Sequence, residues 1–160
     1  MAAAMLVADY IIEKANELDK PITNLKLQKM MFFLNVQFLL KYDKSLITDK
    51  KFEKWPYGPV VKQVYNQYSK FGADVIKKVP DFFYMAQKDK GYEIKTYSFH
   101  KNDLDKSYRN FIDENIDMFI DKPVFKLVGE SHKDTQWQNK SCPYYDDNEL
   151  IKYYSQNKFW

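Results

Sequence analysis

Thr23-Asn24-Leu25-Lys26-Leu27-Gln28-Lys29-Met30-Met31-Phe32-Phe33-Leu34-Asn35-Val36-Gln37-Phe38-Leu39-Leu40-Lys41 decides how this chain folds. Thr23 is a good N-cap, and no glycine or proline interrupts the following eighteen residues. Apolar side chains from Leu25 to Leu40 occupy almost the whole circumference of the expected helix. A helix of that kind sits in the middle of a bundle and is covered on several sides. Its polar members Lys26, Gln28, Lys29, Asn35 and Gln37 then either reach solvent at the helix start or need buried partners.

Other helices can be placed around it. Ala4 to Leu18 reads as an amphipathic helix, with Ala4, Val7, Ala8, Ile11, Ile12, Ala15 and Leu18 inward and Asp9, Glu13, Asn16 and Glu17 outward. Pro21 ends it. After a charged connection, Lys44 to Phe52, comes Trp55-Pro56-Tyr57-Gly58-Pro59, which predicts a proline-stiffened corner. Gly58 is the expected N-cap of a third helix, with Pro59 in its first turn, running to about Lys70 before Gly72. Phe82–Met85 and Tyr92–Phe99 predict a small hairpin around Asp89-Lys90-Gly91. A fourth helix is expected from Asp103 to Ile120 with Asn102 as N-cap, a fifth from Pro123 to about Ser131, and a last from about Asp147 to Gln156. A polar loop, His132 to Asp146, separates the final two.

The expected fold is mainly α: a single-domain helical bundle of about five to six helices with a small β-hairpin, spanning residues 1–160. At 45% hydrophobic and 29% charged residues the chain has the balance of a folded protein, and its 18% aromatic content assigns much of the core to Phe and Tyr. Cys142 is the single cysteine, which excludes an internal disulfide and favours a reducing compartment. The first residues lack a basic region before an apolar run, and Met30–Leu40 falls short of the roughly 20 residues of a membrane span, so no membrane partner and a cytoplasmic location are expected.

Nothing in the sequence assembles a catalytic set. Two histidines (His100 and His132) and one cysteine do not give the spacing of a metal site. The four glycines, Gly58, Gly72, Gly91 and Gly129, are isolated, so no phosphate-binding loop or other cofactor site is present. A Cys142 thiol with His132 as base lacks an oxyanion turn, and Pro143 follows the cysteine directly. No enzyme, no cofactor and no metal is the expectation.

Lys41, Lys44, Lys50, Lys51 and Lys54 lie near Trp55 and Tyr57 and resemble a phosphate-and-stacking surface. A net charge of only +3, and Arg109 as the only arginine, argue against nucleic acid as the partner. Two constellations remain. Asn24-Leu25-Lys26-Leu27-Gln28-Lys29 with Trp55-Pro56-Tyr57-Gly58-Pro59-Val60-Val61 reads either as two elements packed on each other or as a rigid aromatic corner offered to a partner. His132 with Trp137 reads either as a tie between loop and bundle or as a pair with a binding role.

These residues also carry a resemblance. Thr23-Asn24-Leu25-Lys26-Leu27-Gln28-Lys29 opening an aromatic-rich helix resembles the LTNLKLQKLLYF signature of the Panacea domain family of SocA-like antitoxins. Lys54-Trp55-Pro56-Tyr57-Gly58-Pro59-Val60-Val61 resembles that family's W-x-Y-G-P-V corner. Leu127-Val128-Gly129-Glu130-Ser131-His132, with Trp137 five residues on, is similar to its LVELTH…W element. Phe32 stands where tyrosine is common, and Gly129-Glu130-Ser131 departs from the usual run before the histidine.

The resemblance implies an antitoxin, often of prophage origin, that binds and neutralises a cognate toxin protein. The expected partner-binding residues are Asn24, Lys26, Gln28, Lys29, Trp55, Pro56, Tyr57, Gly58, Pro59, His132 and Trp137. A homodimer is compatible with the aromatic content. The alternative is a phage-borne regulatory or anti-defence protein that binds nucleic acid or a host protein.

Overall fold

The computed structural model describes residues 3–160. Among them α1 (Ala4–Glu17) and α2 (Asn24–Tyr42) lead into a two-stranded hairpin of β1 (Glu53–Trp55) and β2 (Gly58–Val60). Next come α3 (Lys62–Tyr68), a single 3-10 turn, and a second hairpin of β3 (Phe82–Lys88) and β4 (Gly91–Tyr97). After another 3-10 turn follow α4 (Lys106–Asn115), α5 (Asp117–Ile120), α6 (Val124–Lys133), α7 (Thr135–Gln138) and α8 (Asp147–Tyr154). Both sheets are antiparallel pairs.

The architecture is mainly helical, as expected, with α2 at its centre. Every residue from Leu27 to Leu39 is buried, and α1, α3, α5, α6 and α8 pack around it. Thr23 caps α2 by accepting from the Lys26 N–H. The core is aromatic: Phe32 packs edge-on against Phe33 and Phe52, and Phe33 stacks with Phe119 at 5.7 Å. The inward polar residues of α2 do find partners. Asn35 Oδ1 accepts from the Ile47 N–H at 3.1 Å, and Gln37 Nε2 donates to Met118 Sδ at 2.9 Å.

Several expectations are corrected. The described residues hold eight α-helices rather than five or six. The fourth helix begins at Lys106 after Asp105, not at Asp103 after Asn102, because Lys101–Asp103 form a separate 3-10 turn; it also divides at Ile116 into α4 and α5. The loop from His132 to Asp146 contains the one-turn helix α7, capped by Asp134, which accepts from the Gln136 N–H at 2.8 Å. Gly58 and Pro59 do not start a helix. They are strand residues of the β1–β2 hairpin, which was not expected, and α3 starts three residues after Pro59, behind Val61.

Asp9, read as a solvent-facing residue of the first helix, is fully buried. The Tyr68 hydroxyl reaches it from α3 and donates to Oδ1. Burial pushes the Asp9 carboxyl up to about 7, an effect the Tyr68 bond only partly offsets. No helix among the described residues is long and apolar enough to cross a membrane.

Candidate partner-binding site

The three motifs that carry the resemblance meet at one place, the β1–β2 turn. Trp55 and Gly58 are paired across it, leaving Pro56 and Tyr57 as the two-residue tip. The next pair is Lys54 with Pro59. Ladder pairs alternate between hydrogen-bonded and non-bonded, so Pro59 falls where its missing N–H costs nothing. Its carbonyl likewise points away from β1, into the protein, and there it needs a donor.

Lys29 supplies that donor. Its Nζ lies 2.8 Å from the Pro59 oxygen, and the side chain has no exposed surface. Loss of solvent lowers the ammonium pKa to about 7. One residue earlier, Gln28 Oε1 accepts from the Val61 N–H at 3.0 Å, and Gln28 Nε2 donates to Asn24 Oδ1 at 3.1 Å. Asn24 Nδ2 in turn donates to the Tyr65 carbonyl at 3.1 Å. The polar residues that open α2 thus satisfy the backbone of β2 and α3, which an apolar helix could not do. Lys26, also buried, reaches the other way and donates to the Lys122 carbonyl before α6.

The turn is held from its other side by α6 and α7. A β-carbon on Gly58 would lie 2.4 Å from Ser131 Oγ, and the Gly58 φ of +96° disfavours any other residue. Ser131 is itself fixed, donating to the Val128 carbonyl at 2.7 Å. His132 stacks on Trp137 with ring centres 3.7 Å apart and planes 12° from parallel. Burial lowers the His132 pKa, disfavouring the charged ring. Trp137 Nε1 donates to the Trp55 carbonyl at 3.0 Å, and Lys140 Nζ sits 3.6 Å from the Trp137 ring centre. Trp55 lies against Tyr65 and donates from Nε1 to Glu53 Oε2 at 2.7 Å.

That geometry sorts the candidate residues. Asn24, Lys26, Gln28, Lys29, Gly58 and Pro59 are buried, and Trp55, His132 and Trp137 are half-buried. Pro56 and Tyr57 form the exposed tip, with Tyr57 61% exposed. Sequence reasoning did not find Ser131, Lys140 or the carbonyl of Lys122 as parts of the assembly. Gly58 was the available signal, since a glycine between two prolines and aromatics marks a place where another atom comes close.

Cys142 and His132 do not form a pair: the thiol is exposed and donates to the Tyr144 carbonyl, while the imidazole is stacked on Trp137.

The family model of the SocA-like antitoxin Panacea domain matches residues 27–138, which contain the turn, its Lys29 support and the α6–α7 clamp. The chain belongs to the Panacea domain family. Antitoxin SocA of Caulobacter vibrioides (strain NA1000 / CB15N) is 40% identical over 73 residues. That alignment covers 46% of this chain and only 38% of SocA. No solved structure matches. The three motifs by which the sequence resembles Panacea domains are therefore one physical unit, and most of that unit is interior.

Proposed function

We propose that this Panacea domain protein is an antitoxin that neutralises a cognate toxin by direct protein–protein binding, without catalysis. The observation that supports this reading most is the build of the turn. Three separated segments contribute buried hydrogen bonds, a stacked ring pair and a close backbone approach, and their joint product is one rigid tip with an exposed aromatic ring. A stiff aromatic anchor binds at low entropic cost, and such residues dominate protein interfaces. The names of SocA and of the family, both antitoxins, support the same role.

Expression of the product of the neighbouring open reading frame, with and without this chain, tests the proposal. Growth arrest by the neighbour alone and rescue by this chain are the expected pair of results. A harmless neighbour would remove the antitoxin reading and leave the alternative, a phage-borne regulator.

Tyr57→Ala is the sharper variant. Its ring is mostly exposed, so stability should change by no more than about 0.5 kcal/mol. Toxin affinity, measured by calorimetry, should fall by roughly 30-fold, the loss of one interface anchor worth about 2 kcal/mol. Trp55→Ala is less informative, because that ring also packs on Tyr65 and its loss weakens the hairpin itself.

A further inference from the structure

The β3–β4 hairpin stands apart from the site above and is built unlike the rest of the protein. Its base is anchored where Phe82 meets Tyr68 and Tyr97. Beyond the base, cross-strand partners share a face, which places Phe83, Met85, Tyr92 and Ile94 together. All four are between 67% and 75% exposed. Neither strand has a second strand beside it among the described residues. The β4 edge is seven residues long, with no proline and no interruption in register, and natural edges of this kind are normally blunted.

The backbone of β4 fixes what such an edge can accept. Lys88 and Gly91 are paired across a two-residue turn, so they form the hydrogen-bonded pair that closes it, and pairs alternate from there. Gly91, Glu93, Lys95 and Tyr97 therefore bond to β3, while Tyr92, Ile94 and Thr96 direct N–H and C=O outward. An antiparallel partner strand must bond to these three residues.

A second copy of β4 fits them in one register. With Ile94 opposite Ile94 of the second copy, Tyr92 meets Thr96, and Glu93 falls opposite Lys95 on both sides of the two-fold axis. Glu93 and Lys95 then occupy non-hydrogen-bonded pairs, where opposed side chains come closest. Registers centred on Glu93 or on Lys95 put like charges directly opposite, which is destabilising. The edge is self-complementary in charge, which is what an isologous two-fold interface requires.

We propose that β4 is the two-fold edge of a homodimer, pairing antiparallel with β4 of a second copy around Ile94. The joined hairpins form one four-stranded sheet with about six additional backbone hydrogen bonds. This assembly does not depend on the antitoxin reading and is measured without any toxin.

Sedimentation equilibrium of the full chain, from low to high micromolar concentration, should show a species of twice 19.2 kDa. Glu93→Lys should weaken the dimer at least tenfold, and Lys95→Glu should do the same, since each replaces two attractive pairs by two repulsive ones. The double variant Glu93→Lys/Lys95→Glu restores both pairs and should recover dimerisation. Glu93 also pairs with Lys88 and Lys95 of its own hairpin, at 3.0 and 3.5 Å, but these contacts lie outside the helical core, so far-ultraviolet circular dichroism of each variant should match the parent. A chain that stays monomeric throughout the range overturns the proposal. So does a dimer indifferent to the single reversals, or a double variant no better than either single one.

Discussion

Gly58→Ala should cost the protein about 3 kcal/mol of folding stability or more, a loss that urea unfolding would resolve directly. Two effects combine. The backbone at Gly58 has a φ of +96°, and holding an L-residue in left-handed geometry costs about 1–2 kcal/mol. The added methyl would also lie 2.4 Å from Ser131 Oγ, and Ser131 is fully buried and pinned to Val128, so it has nowhere to retreat. The two parts can be separated. Gly58→Ala combined with Ser131→Gly relieves the collision and should recover part of the loss, leaving roughly 1–2 kcal/mol of backbone strain. Full recovery would mean that the backbone conformation is not strained.

Lys29 and Asp9 should give the stability of this protein an unusual dependence on pH. In the unfolded chain Lys29 titrates near 10.4, and in the folded protein burial brings it to about 7. Between those values the unfolded chain holds a proton that the folded chain has released. Stability therefore rises with pH across that window, by about 1.4 kcal/mol per pH unit from this group. Asp9 works in the opposite sense. It titrates near 3.9 when unfolded and about 7 when folded, so the folded protein holds the extra proton. Stability falls as pH rises from about 4 to 7, again by about 1.4 kcal/mol per unit.

Urea unfolding at intervals from pH 4.5 to 9 should show both slopes. Asp134, pushed up to about 6 by burial, adds to the fall at the acidic end. Lys29→Met should flatten the rise between pH 7 and 9, and Asp9→Asn should flatten the fall below 7. Lys29→Met also leaves the Pro59 carbonyl without a donor, which lowers stability by about 1–3 kcal/mol at every pH. A parent protein whose stability is level from pH 7 to 9 would show that the lysine is solvated.

The helices of this protein are legible in its sequence because apolar spacing and caps are local signals. Thr23 predicts the start of α2, and the all-round apolar surface predicts its central position, since both depend only on neighbouring residues. Residues whose role is set by distant parts of the chain were not legible in that way. Asp9 has the spacing of an outward residue on α1, and only the arrival of Tyr68, 59 positions later, turns it inward. Gly58-Pro59 has the local chemistry of a helix start, but Lys29 and Val128–Ser131 hold it as a strand instead. The candidate residues do gather around one turn, but how deeply each lies was not legible. Polar residues such as Asn24, Gln28 and Lys29 carry equal promise as surface contacts or as buried donors, and only packing distinguishes the two.

The bond from Trp137 to the Trp55 carbonyl joins residues 82 positions apart, and this separation bears on when the protein becomes competent during synthesis. α1 and α2 can pair as soon as both have left the ribosome, because their contacts close a short loop. The Pro56–Tyr57 tip cannot be held until α6 and α7 exist. At translation rates of about 5–20 residues per second, that interval lasts roughly 4–16 seconds. During it the nascent chain carries the tip sequence without its clamp. A chain cut short before Trp137 retains the central helix yet lacks the stacked rings that brace the turn. If the tip is the contact surface proposed above, binding capacity would thus appear late in translation, and a partner would meet a finished chain rather than a growing one.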